Sequence, residues 1–426
     1  MDRLFGLVGV AFILALAFLL SNNKKRINWR LVASGLFLQS TLALFVLKTP
    51  QGKWLFEQIG HSIEKVLQFS MEGGKFVFGI LVDRPEVLQK VIGGSWIFAL
   101  QIMPTIIFVA VLVSIAYHIG LMQKLVSIVA KIVYKIMGVS GSEALSNVAS
   151  AFVGQVEAQI MIKPYIAGMT MSELLASMAG SMACIAGGVM AVYISMGVPA
   201  KYLLAASIMA APGALVISKI VYPETEESET RGEIKLDVKK THANLLDAIA
   251  HGASEGMRIS INVIAMLIGF IALIAMIDGV LGFSGRFIAS HTGLSLSFIG
   301  LDINHLSLKA ILGEIFSLFA WIMGVPWSEA SSVGSLMGSK MVINEFVAYS
   351  DLVPMIQNHL LSHKSIVIAS FALCGFANFS SIAIQVGGIG ELSPNRKKDL
   401  AVLGVRALIC GTLASYLSAT IAGILS

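Results

Sequence analysis

Long apolar runs separated by short polar segments are the main pattern of this chain. Apolar residues make up 56% of it and charged residues 13%, whereas soluble proteins carry about 25% charged residues. Five runs approach or exceed the roughly 20 residues that a helix needs to cross a bilayer. They cover residues 5–20, 31–47, 96–117, 262–276 and 402–425. The pattern predicts a helical protein that crosses a membrane several times.

Two stretches in different halves of the chain begin alike, with the pattern Gly-Val-x-x-Ser-Glu-Ala. The first starts at Gly138 and the second at Gly324. In each pattern the glutamate follows a serine near a predicted turn, where a carboxylate stabilises the N-terminus of a helix. We therefore expect Glu143 and Glu329 to act as helix caps.

A second glutamate follows in each stretch, and both of these glutamates, Glu157 and Glu345, lie within apolar sequence. An ionisable residue at membrane depth costs at least about 2.5 kcal/mol on insertion scales, so such residues normally face a cavity and carry function. The alternative is an internal ion pair with a nearby lysine such as Lys163 or Lys340. Paired interrupted segments in two halves of a membrane protein predict a binding site near the bilayer midplane.

Glycine and polar residues interrupt the apolar sequence over about 124–170 and 311–350. These interruptions predict re-entrant helical hairpins, because non-helical backbone at membrane depth must be buried in protein or line a water-filled cavity. Each region precedes a long apolar segment with a small or polar break, at 184–188 and 378–381, and then a further span. The order hairpin, broken helix, helix thus occurs twice. An odd number of spans between the copies predicts inverted repeats.

Basic residues predict the orientation in the membrane. The loop 22–30 has four basic residues and no acidic one, and three more basic residues occupy 396–398. Basic loops stay on the cytoplasmic side, which places both loops inside and the N-terminus outside. The polar stretch 222–246 mixes both charges and predicts a solvated, flexible cytoplasmic linker. Residues 55–67 have one apolar helical face, which predicts a helix in the membrane interface or, equally, a short helix packed on the protein.

Several classes of function do not agree with the sequence. The formal net charge of +5 does not predict nucleic-acid binding, because the basic residues lie in loops beside apolar spans. No HExxH motif, GxSxG motif or Ser/His/Asp set is expected at membrane depth, so we expect neither an enzyme nor a cofactor. The three cysteines, Cys184, Cys374 and Cys410, form neither a metal-site spacing nor a disulfide framework.

Four motifs in this order resemble the concentrative nucleoside transporter family, and the resemblance covers essentially the whole chain. They are Gly154-Gln155-x-Glu157-Ala158, Gly324-Val325-Pro326-Trp327-Ser328-Glu329-Ala330, Asn344-Glu345-Phe346-Val347-Ala348-Tyr349 and Gly375-Phe376-Ala377-Asn378-Phe379-Ser380-Ser381. The resemblance implies an all-α protein of the bacterial cytoplasmic (inner) membrane, with eight transmembrane helices and two re-entrant hairpins. It also implies a homotrimer in which a transport domain moves against a scaffold like an elevator. The implied function is symport of a nucleoside such as uridine with a cation.

The same resemblance implies a division of the chain into six parts. These are N-terminal transmembrane helices (1–48), an interfacial helix with a scaffold span (49–120), the first transport repeat (121–222), a cytoplasmic linker (223–250), a second scaffold span with an external connection (251–305) and the second transport repeat (306–426).

The resemblance assigns one set of residues to the nucleobase. Gln155 and Glu157 would contact its edge, while Val189 and Phe376 would pack near it. Glutamine can both donate and accept, which suits the mixed donors and acceptors of a base edge. Many relatives carry threonine or serine where this chain has Val156. The loss of that hydroxyl removes one polar group near the base, so the preferred nucleoside stays open.

A second set is assigned to the ribose by the resemblance: Glu345, Asn378 and Ser381. A carboxylate and an amide together can accept from and donate to the two vicinal hydroxyl groups of a ribose. A buried acceptor without a partner is costly, so solutes lacking these hydroxyl groups should be rejected.

The resemblance does not determine whether the coupling cation is sodium or a proton. Sodium-coupled relatives place asparagine and serine where this chain has Ser150 and Cys184, and sodium prefers oxygen to sulfur. A sodium site could persist on Ser150 with carbonyls of Val153, Cys184 and Ile185. It could equally be lost and be replaced by proton coupling through a buried glutamate, which we favour.

Two other classes of membrane protein compete with a symporter. A channel-like or facilitative pathway would need a continuous polar stripe, which the two interrupted segments do not provide. An intramembrane enzyme would need a catalytic set at membrane depth, and most of the eight histidines lie in or near loops.

Overall fold

The computed structural model describes residues 2–83, 97–230, 242–292 and 301–426, and every regular element in these ranges is a helix. The helices of the first half are α1 (Asp2–Leu19), α2 (Trp29–Lys48), α3 (Pro50–Phe78), α4 (Ile80–Asp83), α5 (Phe98–His118), α6 (Leu121–Met137), α7 (Gly141–Ser150), α8 (Glu157–Ile160), α9 (Lys163–Ile166), α10 (Met171–Ala183), α11 (Gly187–Met196) and α12 (Ala200–Val221). Those of the second half are α13 (Leu245–Thr292), α14 (Leu308–Ile322), α15 (Trp327–Val342), α16 (Glu345–Gln357), α17 (His363–Leu373), α18 (Phe379–Leu392) and α19 (Lys397–Leu425).

Within these ranges, six segments are long and apolar enough to cross a membrane: α2, α5, α10 with α11, α12, α13 and α19. The bent pair α14 and α15 is long and apolar enough when its two helices are taken together, and α1 and α17 are shorter apolar helices. α13 is much longer than the run 262–276 that predicted it, because its polar first part continues the same helix.

The predicted order of hairpin, broken helix and helix is present in both halves. α7 is followed by a turn and by α8 and α9, and α15 is followed by α16. The broken helices are α10–α11, interrupted at 184–186, and α17–α18, interrupted at 374–378. α6 and α14 precede the hairpins as separate helices, and the chain bends by 118° between α14 and α15. Each hairpin is therefore shorter than the interrupted region that predicted it.

The two helix breaks lie against each other in the core. The Phe376 N–H donates to Cys184 O over 3.3 Å, so one break is hydrogen-bonded to the other. Gly375 has a φ of 104°, and a Cβ there would lie 2.3 Å from Ala183 O. Both the backbone conformation and the close approach therefore require glycine at this position. α12 and α19, which follow the broken helices, pack around this centre and are mostly buried.

α13 differs from these core helices, because the most apolar part of it has no buried residue. It packs closely along α5, where a Cβ at Gly252 would lie 2.8 Å from Ala110 O and one at Gly256 would lie 2.6 Å from Ile107 Cα. Small residues let membrane helices approach in this way. The remaining apolar surface of α13 needs lipid or protein to cover it.

The prediction of a solvated, flexible linker is wrong for its first part. Thr230 is buried; its carbonyl accepts from the Gly141 N–H at 3.0 Å, and its hydroxyl lies 2.8 Å from Ser142 Oγ. Glu224 accepts from Lys219 Nζ at 3.3 Å. This segment is therefore tied to the start of α7 and the end of α12. Residues 231–241 of the predicted linker lie outside the described ranges.

Candidate functional site

A cavity of about 950 Å³ lies between the two hairpins, the two helix breaks and the pair α5 and α13. Its volume is typical of small-molecule binding sites. All eight residues that the family resemblance implied for the substrate line it: Gln155, Val156, Glu157, Val189, Glu345, Phe376, Asn378 and Ser381. Residues from both halves of the chain thus meet at one site.

Glu345 lies at the N-terminal end of α16, where two side chains hold its carboxylate. Tyr193 Oη donates to Oε1 at 3.2 Å, and Asn378 Nδ2 donates to Oε2 at 3.0 Å. Asn344 caps α16 by accepting from the Val347 N–H at 3.0 Å. The positive end of a helix stabilises a carboxylate, which offsets part of the cost of burying Glu345.

Asn378 connects this carboxylate to the start of α18. Its Oδ1 caps the helix by accepting from the Ser381 N–H at 2.9 Å and from Ser380 Oγ at 2.7 Å, while its Nδ2 donates to Glu345. The amide orientation is therefore determined by its partners. The N-termini of α16 and α18 converge on one carboxylate, which leaves hydroxyl and carboxylate oxygens facing the cavity.

The alternative of an ion pair between Glu345 and Lys340 does not occur in the described structure. Lys340 Nζ donates to Ala372 O at 2.8 Å and to Cys374 O at 3.2 Å. These carbonyls lie at the C-terminal end of α17 and the start of the break, so the ammonium is bound by backbone oxygens and not by the carboxylate.

The other end of the cavity holds the turn of the first hairpin. Gln155 Oε1 accepts from Gln385 Nε2 at 3.3 Å, and Gln155 Nε2 lies 3.5 Å from Ser381 Oγ. Gln385 is fully buried and also donates to Met178 O at 3.2 Å. These contacts orient the Gln155 amide. They also dock the first hairpin onto α18, a helix of the second half.

Two glycines shape the same turn. A Cβ at Gly154 would lie 2.0 Å from Glu157 Oε2, so the carboxylate folds back over the glycine backbone. A Cβ at Gly388 would lie 2.7 Å from Val156 Cγ2, so Val156 packs into the space that α18 leaves there. Val156 therefore helps to pack the first hairpin against α18 and also lines the cavity.

Val189 and Phe376 provide the apolar part of the wall. Val189 lies in the first turn of α11, and Phe376 lies in the second break, where its N–H donates to Cys184 O. Both are half-buried in the described structure and could cover the face of a flat ring.

The residues implied for a cation site lie together behind the cavity but are already hydrogen-bonded. Ser150 Oγ donates to Ser146 O at 2.7 Å and lies 2.9 Å from Ser181 Oγ. Cys184 is fully buried, and its Sγ lies 3.9 Å from Asn147 O.

The neighbouring carbonyls are engaged as well. Ser207 Oγ donates to Ala151 O at 3.1 Å and to Ile185 O at 3.5 Å, while Val153 lies on the cavity wall. Sodium is a hard cation that is best held by a full shell of oxygen ligands. With the sulfur of Cys184 among these groups and protein donors on Cys184 O and Ile185 O, the set is a poor match to the oxygen shell that sodium prefers.

The two capping glutamates have different partners. Glu143 forms the predicted capping box, since its Oε2 accepts from the Ser140 N–H at 3.0 Å, and it also pairs with the buried Lys219. Glu329 instead accepts from the N–H and Oγ of Ser362, at 3.1 and 3.0 Å. Ser362 is the N-cap residue of α17, so Glu329 stabilises the start of a different helix from its own.

Reasoning from the sequence missed two groups of cavity residues. Tyr193 and Gln385 each lie four residues after a predicted site residue, so they share its helix face. That spacing could have identified them. Tyr117, His251 and Glu255 line the cavity from α5 and α13. No motif points to them, because they face the site only through tertiary packing.

Models of known protein families match almost the whole chain. A model described as the C-terminus of Na+ dependent nucleoside transporters matches residues 202–423, and one for their N-terminus matches 8–81. A model described as a gate for nucleoside recognition matches 99–200, which contains the first hairpin.

Relatives of known sequence and structure agree with this. The chain is 43% identical to the uncharacterized transporter YutK of Bacillus subtilis, over 99% of both chains. It is 39% identical to the nucleoside permease NupC of Helicobacter pylori, over 99% of this chain and 98% of that one. CNTnw, in an inward-facing substrate-bound state, matches with a TM-score of 0.92 and 43% identity, over 100% of this chain and 98% of that one. A doubly substituted CNTnw in an outward-facing state matches with a TM-score of 0.91 at the same identity and coverage.

Proposed function

We propose that this chain, which belongs to the Na+-dependent nucleoside transporter family, is a symporter that imports nucleosides into a bacterial cell together with protons. Family membership makes it a multi-pass membrane transporter and not an enzyme. The nucleoside site, the proton and the mode of movement are the proposed parts. The observation that supports them best is the carboxylate of Glu345, held between two helix N-termini on the cavity wall.

We assign the ribose to this carboxylate and its neighbours Asn378 and Ser381. Each Glu345 oxygen accepts one protein hydrogen bond and keeps lone pairs for a hydroxyl group of the substrate. Two vicinal hydroxyl groups would complete these acceptors. A solute without them would leave buried acceptors unsatisfied, which costs affinity.

The nucleobase is assigned to the first hairpin. Gln155 offers an oriented amide, Glu157 an acceptor for base N–H groups, and Val189 with Phe376 an apolar slot. Val156 contributes no hydrogen bond. Recognition of the base edge therefore depends on Gln155 and Glu157, which supports transport of more than one nucleoside.

Protons are proposed as the coupling cation because the alternative set does not suit sodium. Ser150 and Cys184 are engaged in hydrogen bonds, and sulfur is a poor ligand for a hard cation. Other ionisable residues, Glu255 and His251 on α13 among them, line the cavity too. Glu157 and Glu345 are proposed to exchange the proton, because they lie at the positions assigned to the base and the ribose.

The mode of transport is proposed to be an elevator movement within a homotrimer, with the N-terminus outside. In this scheme α3, α5 and α13 form the scaffold, and the two re-entrant hairpins with their broken helices form the moving part. Relatives with inward- and outward-facing states support alternating access. The packing of α13 along α5, away from the core helices, supports a separate scaffold.

Uptake into proteoliposomes tests the proposed function. Uridine, adenosine and inosine are supplied under an imposed proton gradient or an imposed sodium gradient, separately. We expect saturable uptake that the proton gradient drives without sodium. Strict sodium dependence would contradict the proposed coupling, and flux that neither saturates nor responds to a gradient would indicate a channel-like pathway.

A further inference from the structure

Lys340 is a buried lysine whose ammonium is bound by backbone carbonyls instead of a carboxylate. It is only 1% exposed and lies in the last turn of α15. Its ammonium donates to Ala372 O at 2.8 Å and to Cys374 O at 3.2 Å. Among the described residues, no carboxylate lies within ion-pair distance of it. The other deeply buried lysine, Lys219, pairs with two glutamates, so Lys340 is held in a different way.

The partners of this ammonium are the partial negative charges at helix ends. Ala372 and Cys374 lie at the C-terminal end of α17, where carbonyls lack partners within the helix. Ser415 Oγ, from α19, donates to Cys374 O as well at 3.0 Å. The C-terminal end of α15 adds to the same negative field. The ammonium therefore occupies a carbonyl cradle, formed by Ala372 O and Cys374 O, that carries partial negative charge without containing a carboxylate.

The first half has a similar cradle without an amine. There Ser207 of α12 corresponds to Ser415 of α19, because each lies on the helix that follows a broken helix. Ser207 Oγ donates to Ile185 O in the first break and to Ala151 O at the end of α7. Cys184 Sγ lies 3.8 Å from Ser207 O. Neutral hydroxyl and thiol groups therefore surround the first break, whereas an ammonium contacts the second.

We propose that Lys340 is a covalently attached cation which occupies the second-half cradle permanently and thereby positions the ribose-binding residues. This inference rests on the proposed nucleoside transport. Lys340 fixes the carbonyl end of the second break, and Asn378 lies at the other end of that break, in contact with Glu345. Loss of the ammonium removes the Lys340 donor from Ala372 O and leaves Cys374 O with Ser415 Oγ, and Asn378 then loses its fixed position.

Chemical rescue tests the charge of this residue. Uridine binding to the full-length protein in lipid nanodiscs is measured by calorimetry for Lys340→Met and Lys340→Ala. We expect affinity to fall by about 10- to 100-fold, because hydrogen bonds from a charged donor are lost. Propylammonium, which has the shape of the missing side chain, should restore binding to Lys340→Ala, whereas 1-propanol should not. Lys398→Met, the same change at an exposed position, should bind like the unmodified protein.

Two results would overturn the assignment: unchanged affinity in Lys340→Met, or equal rescue of Lys340→Ala by propanol and propylammonium. If neither variant elutes as a folded protein in gel filtration, a measurement on the unmodified protein tests the proposal instead. Its uridine affinity should be the same in sodium, potassium and choline chloride if the second cradle is permanently filled, and a saturable gain in affinity with sodium or potassium would contradict this. If the unmodified protein does not bind uridine, the proposed function itself is refuted. If it binds uridine and Lys340→Met binds uridine equally well, only the role of Lys340 is refuted.

Discussion

The two halves of the molecule build the same break in a transmembrane helix and stabilise it differently. In the second half the break is held by charged groups: Lys340 on its carbonyl side and Glu345, through Asn378, on its N–H side. In the first half it is held by neutral groups, among them Cys184 and Ser207. A break held by fixed charges needs no external ion. In the proposed assignment, the second half therefore holds the ribose-binding residues in place without an external ion.

The largest expected effect is the loss of uridine binding in Glu345→Gln. The substitution keeps the shape but removes the charge that accepts from Tyr193 and Asn378 and, in the proposed assignment, from the ribose hydroxyl groups. We expect affinity to fall at least about 100-fold, as for hydrogen bonds to a buried charged group. Calorimetry with uridine measures it, and Glu64→Gln at an exposed position is the control. Unchanged affinity would refute the ribose assignment.

Tyr193→Phe should have the next largest effect. It removes the donor to Glu345 Oε1 but keeps the ring that lies 4.4 Å from that of Tyr349, so packing is preserved. We expect about a tenfold loss of uridine affinity with little change in thermal stability. A large drop in melting temperature with normal affinity would make Tyr193 a packing residue only.

A smaller effect, on the sodium dependence of uptake, should follow from placing oxygen ligands for sodium beside the first break. The double substitution Ser150→Asn with Cys184→Ser replaces the thiol with a hydroxyl group and adds a carbonyl oxygen beside the first break. We expect sodium to stimulate uridine uptake by this variant several-fold, at a fixed proton gradient. The unmodified protein measured in parallel should show no stimulation. Equal sodium responses in both would mean that these two positions do not determine the cation.

The smallest expected effect concerns the base. Val156→Thr adds a hydroxyl group at the first hairpin turn with little change of volume, and Val156 already packs against Gly388. The ratio of cytidine to uridine affinity should change by a few-fold, since one hydrogen bond contributes about 1 kcal/mol. Competition binding with both nucleosides measures this ratio. An unchanged ratio would place residue 156 outside base recognition.

The sequence predicted the features that depend on local pattern. Apolar runs located the spans, and the two breaks were recognisable from small and polar residues around Cys184 and Asn378. The capping role of Glu143 was also correct, because a capping box is local in sequence.

Features that depend on tertiary packing were not predictable in this way. Glu329 caps α17 because that helix lies beside it in the fold, and Lys340 binds carbonyls on α17 for the same reason. Thr230 is buried against the start of α7 although its neighbours in sequence are charged. In each case the partner is distant in sequence, so no spacing rule could identify it.

The measurement that tests the account most directly is proton movement evoked by uridine. Proteoliposomes in weakly buffered, sodium-free medium are mixed with uridine, and the external pH is recorded. The account predicts alkalinisation that accompanies uridine uptake and disappears in Glu345→Gln. Uridine uptake without any proton movement, or uptake that begins only when sodium is added, would contradict it.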